Sequence, residues 1–281
     1  MKKVLVFVLV LLMMPTIALA DSNSVEHERH VLDTSSRQSF ITDVYETYGI
    51  VIRDRASALS GRDGVDIMNA IDYTLSSYTP EFVQMLAYIF RTTHNAPFII
   101  DLLESRQMGG GAGNAGRWIN VWNPSTNSMG SEYRISMINT YNISSRQVNS
   151  YGNVFAHEFG HAVHHALLYV LGTRQAEQME RDFTAFNGNF RYTGTQHGNF
   201  NMSTHGTTFV SRISLEHWEE DVAEIFAYLT YNPTGMVDRI SNTRNQPLLD
   251  KTIFLRDMVY EYIGFTPIFA PVYEALEILE Q

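Results

Sequence analysis

The chain has 281 residues, of which 44% are hydrophobic, and a net charge of -10 at pH 7. An acidic protein repels the phosphate backbone, which argues against nucleic acid as a partner, and the absence of cysteine excludes disulfide bonds and thiol nucleophiles. A chain of this length can bury a sizeable core without disulfides, as one domain or as two closely packed lobes.

The first twenty residues have the pattern of a secretory signal peptide. Lys2 and Lys3 precede an apolar segment, residues 4–14, that is too short to span a bilayer comfortably. An A-x-A cleavage site follows and ends at Ala20. We therefore expect cleavage after Ala20, export to the periplasm or the medium, and no stable membrane anchor afterwards. An uncleaved N-terminal anchor is the alternative.

Residues 21–95 are predicted to form an N-terminal helical region. Thr79 followed by Pro80 is typical of a helix start. The helix that begins there has an apolar stripe made of Phe82, Met85, Leu86, Ile89 and Phe90. Such a stripe indicates a helix with one face packed against a core.

Residues 96–281 are predicted to form a second, larger domain that begins with strands. The alternation of apolar residues predicts strands at Pro97–Leu103, Arg117–Trp122 and Tyr133–Asn139. We expect Tyr133–Asn139 to be the edge strand of a small mixed sheet, where an extended peptide could add to it. Helices are predicted again near Glu216, over Leu248–Tyr262 and from Pro271 onward.

The five residues from His157 to His161 read His-Glu-Phe-Gly-His, an HExxH motif, within a helix predicted from about Val148 to Leu171. On a helix the two histidines project from one face, where two imidazoles can bind one zinc ion. Glu158 lies beside them, placed to take a proton from the water that attacks a peptide bond. Apolar flanking residues favour this reading over a histidine-rich surface helix.

Catalytic zinc usually has three protein ligands, so the motif requires a third. The positions that would continue the HExxHxxGxxH pattern hold His164 and Leu167, so that pattern is absent. Glu177 and Glu180 lie at the spacing of a thermolysin-like glutamate, but the residues that accompany such a ligand are missing. His164 could reach the edge of the site, and we expect it to be a packing or surface residue.

A second acidic pair gives a better candidate for the third ligand. Glu220 and Glu224 lie one turn apart on a predicted helix, and Ala223 and Ala227 on the same face would allow another helix to approach closely. We predict that Glu220 binds zinc and that Glu224 accepts a hydrogen bond from a ligating histidine, which fixes its tautomer. An ordinary acidic helix surface is the alternative, because further carboxylates lie nearby.

The HEFGH sequence followed by an E-x-x-A-E-x-F helix resembles the catalytic domain of anthrax lethal factor and related exported gluzincin peptidases, including the Pro-Pro endopeptidases. The resemblance covers about residues 97–230. It implies one zinc ion per chain on the two histidines of the motif and Glu220, base catalysis by Glu158, and a supporting role for Glu224.

The chain departs from these relatives at one position. They carry a tyrosine seven residues before the third ligand that stabilises the oxyanion, and here that position is Ile213. Candidate replacements in or beside a loop predicted at residues 187–208 are Tyr192, His197, His205 and His217. The other possibilities are weak catalysis or loss of activity.

Taken together, the sequence predicts an α+β, zincin-like fold with a small mixed sheet packed on the HExxH helix, a mainly helical C-terminal lobe and extra N-terminal helices. The predicted function is a secreted zinc-dependent endopeptidase that acts on a peptide or protein substrate. One rival is a catalytically weak or inactive protein of the same fold that binds a peptide or protein partner. Another is metal sequestration, which predicts more than one tightly bound metal ion.

Overall fold

The computed structural model describes residues 32–60, 64–104, 115–123, 128–139, 145–194 and 200–280. The predicted signal peptide lies outside them. In chain order the helices are α1 (Arg37–Tyr48), α2 (Gly64–Leu75), α3 (Pro80–His94), α4 (Ser145–Leu171), α5 (Thr173–Ala185), α6 (Trp218–Tyr231), α7 (Pro233–Ile240), α8 (Gln246–Tyr262) and α9 (Ala270–Leu279). The strands are β1 (Val51–Asp54), β2 (Phe98–Glu104), β3 (Ala115–Asn123) and β4 (Ser128–Asn139).

The four strands form one mixed sheet in the order β1-β2-β4-β3. β1 pairs with β2, and β2 with β4, in parallel, whereas β3 runs antiparallel to β4. The predicted mixed sheet is therefore confirmed. The prediction that Tyr133–Asn139 is an edge strand is wrong, because β4 is paired on both sides. Alternating apolar residues mark a buried face but do not reveal strand neighbours, and among the described strands β3 is the edge beside β4.

Helices make up most of the described part of residues 21–95, and the sequence prediction missed one short strand there, β1. α1 ends at Gly49, whose φ of 70° lies in the left-handed region that glycine adopts without strain. The β-branched Val51 and Ile52 follow, and Val51 pairs with Ile99 of β2. A strand of four residues is too short for its periodicity to be recognised, and its partner lies far along the chain.

The start of α3 agrees with the sequence prediction. The Thr79 hydroxyl accepts a hydrogen bond from the Phe82 N–H at 3.1 Å, and Pro80 occupies the first turn. Further along α3, the Phe90 ring stacks on Tyr133 of β4 with centroids 4.2 Å apart. The apolar stripe of α3 therefore covers the sheet next to the HExxH helix.

α4 carries the HExxH motif through the centre of the molecule and ends before Gly172, whose φ is 71°. Phe155 and Phe159 are fully buried, and the Phe159 ring lies 4.9 Å from Tyr78 and 6.1 Å from Phe98, centroid to centroid. Each buried ring contributes about 1.5–3 kcal/mol. The prediction that this helix is buried is thus confirmed. No helix among the described residues has both the length and the apolar character needed to cross a membrane.

α6 runs antiparallel to α4 at very close range. A Cβ atom at Gly160 would lie 2.9 Å from the Ala223 carbonyl oxygen and 3.0 Å from the Phe226 Cβ. Eight residues earlier, a Cβ atom at Gly152 would lie 2.1 Å from the Tyr231 hydroxyl. Glycine at these two positions lets the backbones approach, as expected from the small Ala223. The metal-ligating faces predicted for the two helices consequently meet.

Candidate metal centre

α4 and α6 each supply one pair of the predicted site residues. His157 and His161 lie one turn apart on α4, with ring centroids 4.8 Å apart. Glu220 and Glu224 lie one turn apart on α6. Because the helices touch at Gly160, inside the motif, the two pairs face each other across the contact. The side chains are mostly shielded: His157 is 13% exposed and Glu220 is 32% exposed.

Three of these residues form a group that could hold a metal ion. One ligand atom each from His157, His161 and Glu220 lie within 4.8 Å of one another. Glu220 Oε2 is 3.1 Å from His157 Nε2, and Oε1 is 3.6 Å from His161 Nε2. Ligand atoms around a tetrahedral zinc ion lie about 3.3 Å apart, so the spacings fit zinc. The described residues contain no second such group, and Glu177 and Glu180 are exposed on α5.

Glu224 occupies the other side of His157. The His157 Nδ1–H donates to Glu224 Oε1 at 2.6 Å. When the ring is neutral, as a metal ligand must be, this hydrogen bond selects the tautomer whose Nε2 lone pair points toward the group. The structure therefore places Glu224 where the sequence predicts a supporting carboxylate.

The electrostatics of the group favour a cation. Burial lowers the pKa of His157, but hydrogen bonds to Glu220 and Glu224 outweigh it and raise that pKa to about 10. Burial raises the pKa of Glu220, but hydrogen bonds to His157 and His161 hold it well below its usual range. Carboxylate charge is thus in excess, and it is balanced by a proton or by a metal ion.

The group opens onto a cavity of about 1050 Å³ between α2, α4, α6 and the segment before α6. Glu158 lines this cavity beside His157 and is only 6% exposed. Ile213 lines it too and is 41% exposed. Since ligand pockets usually enclose about 300–1,000 Å³, the cavity has room for several residues of a peptide.

A buried ion pair lies on the opposite side of α6. Lys251 Nζ is 2.6 Å from Asp221 Oδ2, and both side chains are fully buried. Lys251 also donates to the Thr208 carbonyl at 3.1 Å, and the Tyr192 hydroxyl donates to Asp221 Oδ2 at 3.1 Å. Burial raises the pKa of Asp221 and lowers that of Lys251, and each charge persists because the other is close.

The sequence prediction missed this pair although a signal for it exists. Lys251 is the only lysine after Lys3, whereas the chain has many arginines. It lies on α8 with Leu248, Leu249 and Leu255, which are buried. A single lysine among buried leucines indicates an internal charge that needs a partner.

Three of the four residues predicted to replace the family tyrosine are directed elsewhere. Tyr192 is committed to Asp221, His205 Nδ1 accepts from the Asn201 N–H at 2.9 Å, and His217 caps the N-terminus of α6. None of these three side chains lines the cavity. His197 lies outside the described residues.

Three tyrosines that the sequence prediction did not select line the cavity instead: Tyr73, Tyr228 and Tyr231. Tyr228 follows Glu224 by four residues and Tyr231 follows it by seven, so both share its face of α6. This spacing is visible in the sequence. The contribution of Tyr73 is not, because it comes from α2 and depends on tertiary packing.

The remaining histidines of α4 are packing residues. His164 is fully buried and lies edge-on to Trp218, with ring centroids 4.4 Å apart. His165 Nδ1 lies 2.9 Å from the Tyr133 hydroxyl. Burial lowers the pKa of His164 well below its usual value and that of His165 to about 4, so both are neutral at pH 7. His164 is thus a packing residue, one of the two roles expected for it, and His165 is partly exposed.

No protein-family model matches the chain, and no curated protein sequence matches it. A crystal structure from Bacteroides caccae, described as that of a "putative zinc-binding metallo-peptidase", is similar with a TM-score of 0.50 and 16% sequence identity. The match covers 90% of this chain and 97% of that chain. At such low identity the likeness concerns the fold, which is the α+β, zincin-like fold that the sequence predicts.

Proposed function

We propose that this chain is a zinc-dependent endopeptidase of the gluzincin type. The observation that carries the proposal is the convergence of His157, His161 and Glu220 at zinc-like spacing, with Glu158 beside them. A buried group with excess carboxylate charge suits a divalent cation, and nitrogen and carboxylate oxygen are ligands that zinc prefers. One zinc ion per chain follows from the one group that meets these conditions in the described residues.

When bound, zinc would polarise the scissile carbonyl and acidify a water molecule. Glu158 lines the same cavity. It takes a proton from the attacking water and then delivers that proton to the leaving amine. Glu158 follows His157 directly in the chain, so its carboxylate stays close to a metal-ligating residue. Glu224 keeps the imidazole of His157 oriented through the 2.6 Å hydrogen bond.

The substrate in this proposal is a peptide or an exposed segment of a protein. The cavity is large enough for several residues, and β3 leaves one side unpaired among the described strands. An extended peptide could add to that edge through main-chain hydrogen bonds. β3 replaces Tyr133–Asn139 in this role. Export after cleavage at Ala20 is part of the proposal and rests on the sequence pattern.

Kinship with the lethal factor and Pro-Pro endopeptidase group is the finer part of the proposal. The HEFGH motif and the Glu220–Phe226 segment support it, and Ile213 departs from it. The hydroxyls in the described lining come from Ser211 and the cavity tyrosines. Sequencing of the products of a cleaved peptide library by mass spectrometry would test the Pro-Pro endopeptidase part of this kinship, since a cut between two prolines is what that part implies.

The first experiment measures zinc in the purified chain by mass spectrometry after metal reconstitution. We expect one zinc ion per chain in the wild type and at least about tenfold weaker binding in Glu220→Ala. Glu177→Ala, which removes an exposed carboxylate of α5, is the matched control and should bind zinc as the wild type does. A wild-type chain that takes up no zinc would overturn the proposal.

The second experiment separates catalysis from metal binding. Glu158→Ala should keep one zinc ion yet lose about 10²–10⁴-fold in peptide hydrolysis, because it removes the group that transfers the proton. Cleavage of a peptide mixture is followed by mass spectrometry, with zinc measured on the same sample. Equal hydrolysis by the variant and the wild type would refute the role of Glu158.

One observation favours a second candidate function. Ile213 lines the cavity where the resembling peptidases carry a hydroxyl donor, and its side chain can donate no hydrogen bond. A zinc-containing protein that binds a peptide without cutting it would show this feature. A stable peptide complex formed by the zinc-loaded wild type, without products, would select that function.

A further inference from the structure

The cavity has two ends of different chemistry. Its metal end contains all the charged side chains of the lining: Glu158, Glu220 and Glu224, beside His157. The other end is lined by Tyr73, Tyr228 and Tyr231, and we call it the tyrosine chamber. Asn69 and Asn153 also contribute to the lining. Among the residues that the structure describes, no lysine or arginine lines the cavity.

Tyr231 spans three helices and forms a fixed wall of the chamber. Its hydroxyl passes over Gly152 of α4, where a Cβ would lie 2.1 Å away, and donates to the Ala70 carbonyl of α2 at 3.1 Å. The Tyr73 ring packs against it with centroids 4.8 Å apart. The absence of a side chain at Gly152 is therefore what admits the tyrosine.

Tyr228 is held from the other side by α7. The Arg239 guanidinium lies 5.4 Å from the centre of the Tyr228 ring. The same guanidinium donates to the carbonyls of Gly206, Phe209 and Val210 at 2.7–2.8 Å. Each chamber wall is thus set before any ligand arrives, which lowers the entropic cost of binding.

The chamber lies within reach of the scissile bond. Gly152, opposite Tyr231, precedes His157 by five residues, which corresponds to about 7.5 Å along a helix axis. An extended peptide advances about 3.3 Å per residue. A side chain within two residues of the bond beside the metal therefore reaches the tyrosines.

We propose that the tyrosine chamber is the specificity pocket of this site and accepts a large uncharged side chain of the peptide, with aromatic residues preferred. Three phenol rings offer stacking and edge-to-face contacts to another ring. The lining asparagines offer amide hydrogen bonds to a polar tip. The assignment rests on the peptide-directed function proposed above and adds the class of substrate.

Charged side chains fit the chamber less well. An acidic side chain would lose its hydration without gaining a cationic partner, since the described part of the lining has none. A basic side chain would gain contact with the ring faces, but the carboxylates are at the metal end, where Glu220 and Glu224 already face the imidazoles. We therefore expect the order aromatic, then amide, then basic, then acidic.

The test measures binding and cleavage separately. Zinc-loaded Glu158→Ala is titrated with peptides that are identical except at one position, which carries Tyr, Phe, Gln, Lys or Asp. The varied position is moved stepwise along the peptide. At one position we expect the aromatic peptides to bind about tenfold or more tightly than the Asp peptide. Equal affinities at every position, or tightest binding with Lys or Asp, would overturn the chamber assignment.

A variant in which a larger side chain fills the tyrosine chamber tests the assignment directly. Ala227→Phe, added to Glu158→Ala, places a ring among the three tyrosines and should abolish the aromatic preference while one zinc ion remains bound. Tyr88→Ala removes an exposed tyrosine of α3 and should keep the preference. Thermal unfolding confirms that each variant is folded. If Ala227→Phe is folded and still prefers aromatic peptides, the assignment is wrong.

Cleavage assays with the zinc-loaded wild type distinguish failure of the peptidase proposal from failure of the chamber proposal. Cleavage without any preference at the chamber position contradicts the chamber and supports the peptidase. Aromatic preference in binding, together with no cleavage by the zinc-loaded wild type, contradicts the peptidase and supports the chamber.

Discussion

Glu220 and Asp221 are neighbours in the chain, yet they serve two opposite kinds of ionic structure. Glu220 faces the cavity and α4, is 32% exposed, and meets two histidines. Asp221 points to the other side of α6, is fully buried, and meets Lys251. The first group has an excess of negative charge and open access, whereas the second is neutral as a pair and closed.

The difference shows how one helix can be both anchored and reactive. The charge of Asp221 is neutralised by Lys251 of the same chain, so this ion pair holds α6 against α8 without any bound ion. Glu220 and Glu224 meet histidine side chains instead, so their charge is balanced by a proton on His157 or by an external cation. A closed pair fixes the register of the helix, and an open group on the same helix can then bind a metal ion.

Breaking the closed pair should have the largest effect on stability. Lys251→Met leaves Asp221 buried without a cation and should lower the free energy of unfolding by about 3–5 kcal/mol. Urea denaturation followed by circular dichroism measures the change. The double variant Lys251→Met, Asp221→Leu removes both charges and should recover most of the loss, because no unpaired charge remains.

That pair of variants separates ionic from steric effects. A double variant as unstable as the single one would show that packing around Lys251, and not its charge, is what matters. Full stability of Lys251→Met would show that Asp221 becomes neutral by taking up a proton, which its burial favours, or that water reaches it.

Weakening the open group should lower metal affinity more than it lowers stability. Glu224→Gln keeps the shape of the side chain but removes the charge that orients His157, and we expect zinc affinity to fall about 10–100-fold. Competition with a chelator of known affinity measures this. Glu177→Gln is the control at an exposed site. Wild-type affinity in Glu224→Gln would mean that the 2.6 Å contact has no role in holding the metal.

The open group was predictable from sequence because its parts are local. His157 with His161, and Glu220 with Glu224, are i,i+4 pairs that any helix brings to one face. The apolar residues around the motif correctly predicted a buried α4. The encounter of the two pairs depends on the Gly160–Ala223 contact, for which the small residues gave a visible indication.

The parts that escaped prediction depend on distant partners or on short elements. β1 has four residues and owes its existence to β2, and α7 has eight residues, although Asn232 and Pro233 mark its start. α5 is polar on most of its surface and buries only Met179 and Phe183, so few apolar residues mark it as a helix. Strand order decided that β3, not β4, is the edge, and no local pattern encodes strand order.

Tyr192 gives the prediction with the smallest expected effect, and it tests whether this residue acts in the open metal group or supports the closed Asp221–Lys251 pair. As a predicted oxyanion donor it would affect catalysis, whereas in the structure its hydroxyl donates to Asp221 at 3.1 Å. Tyr192→Phe removes that hydrogen bond and should lower the free energy of unfolding by about 1.5 kcal/mol. Zinc affinity and peptide cleavage should stay within about twofold of the wild type, because Asp221 and Lys251 keep each other charged. A large loss of cleavage with unchanged stability would instead place Tyr192 in the reaction and return it to the open side of α6.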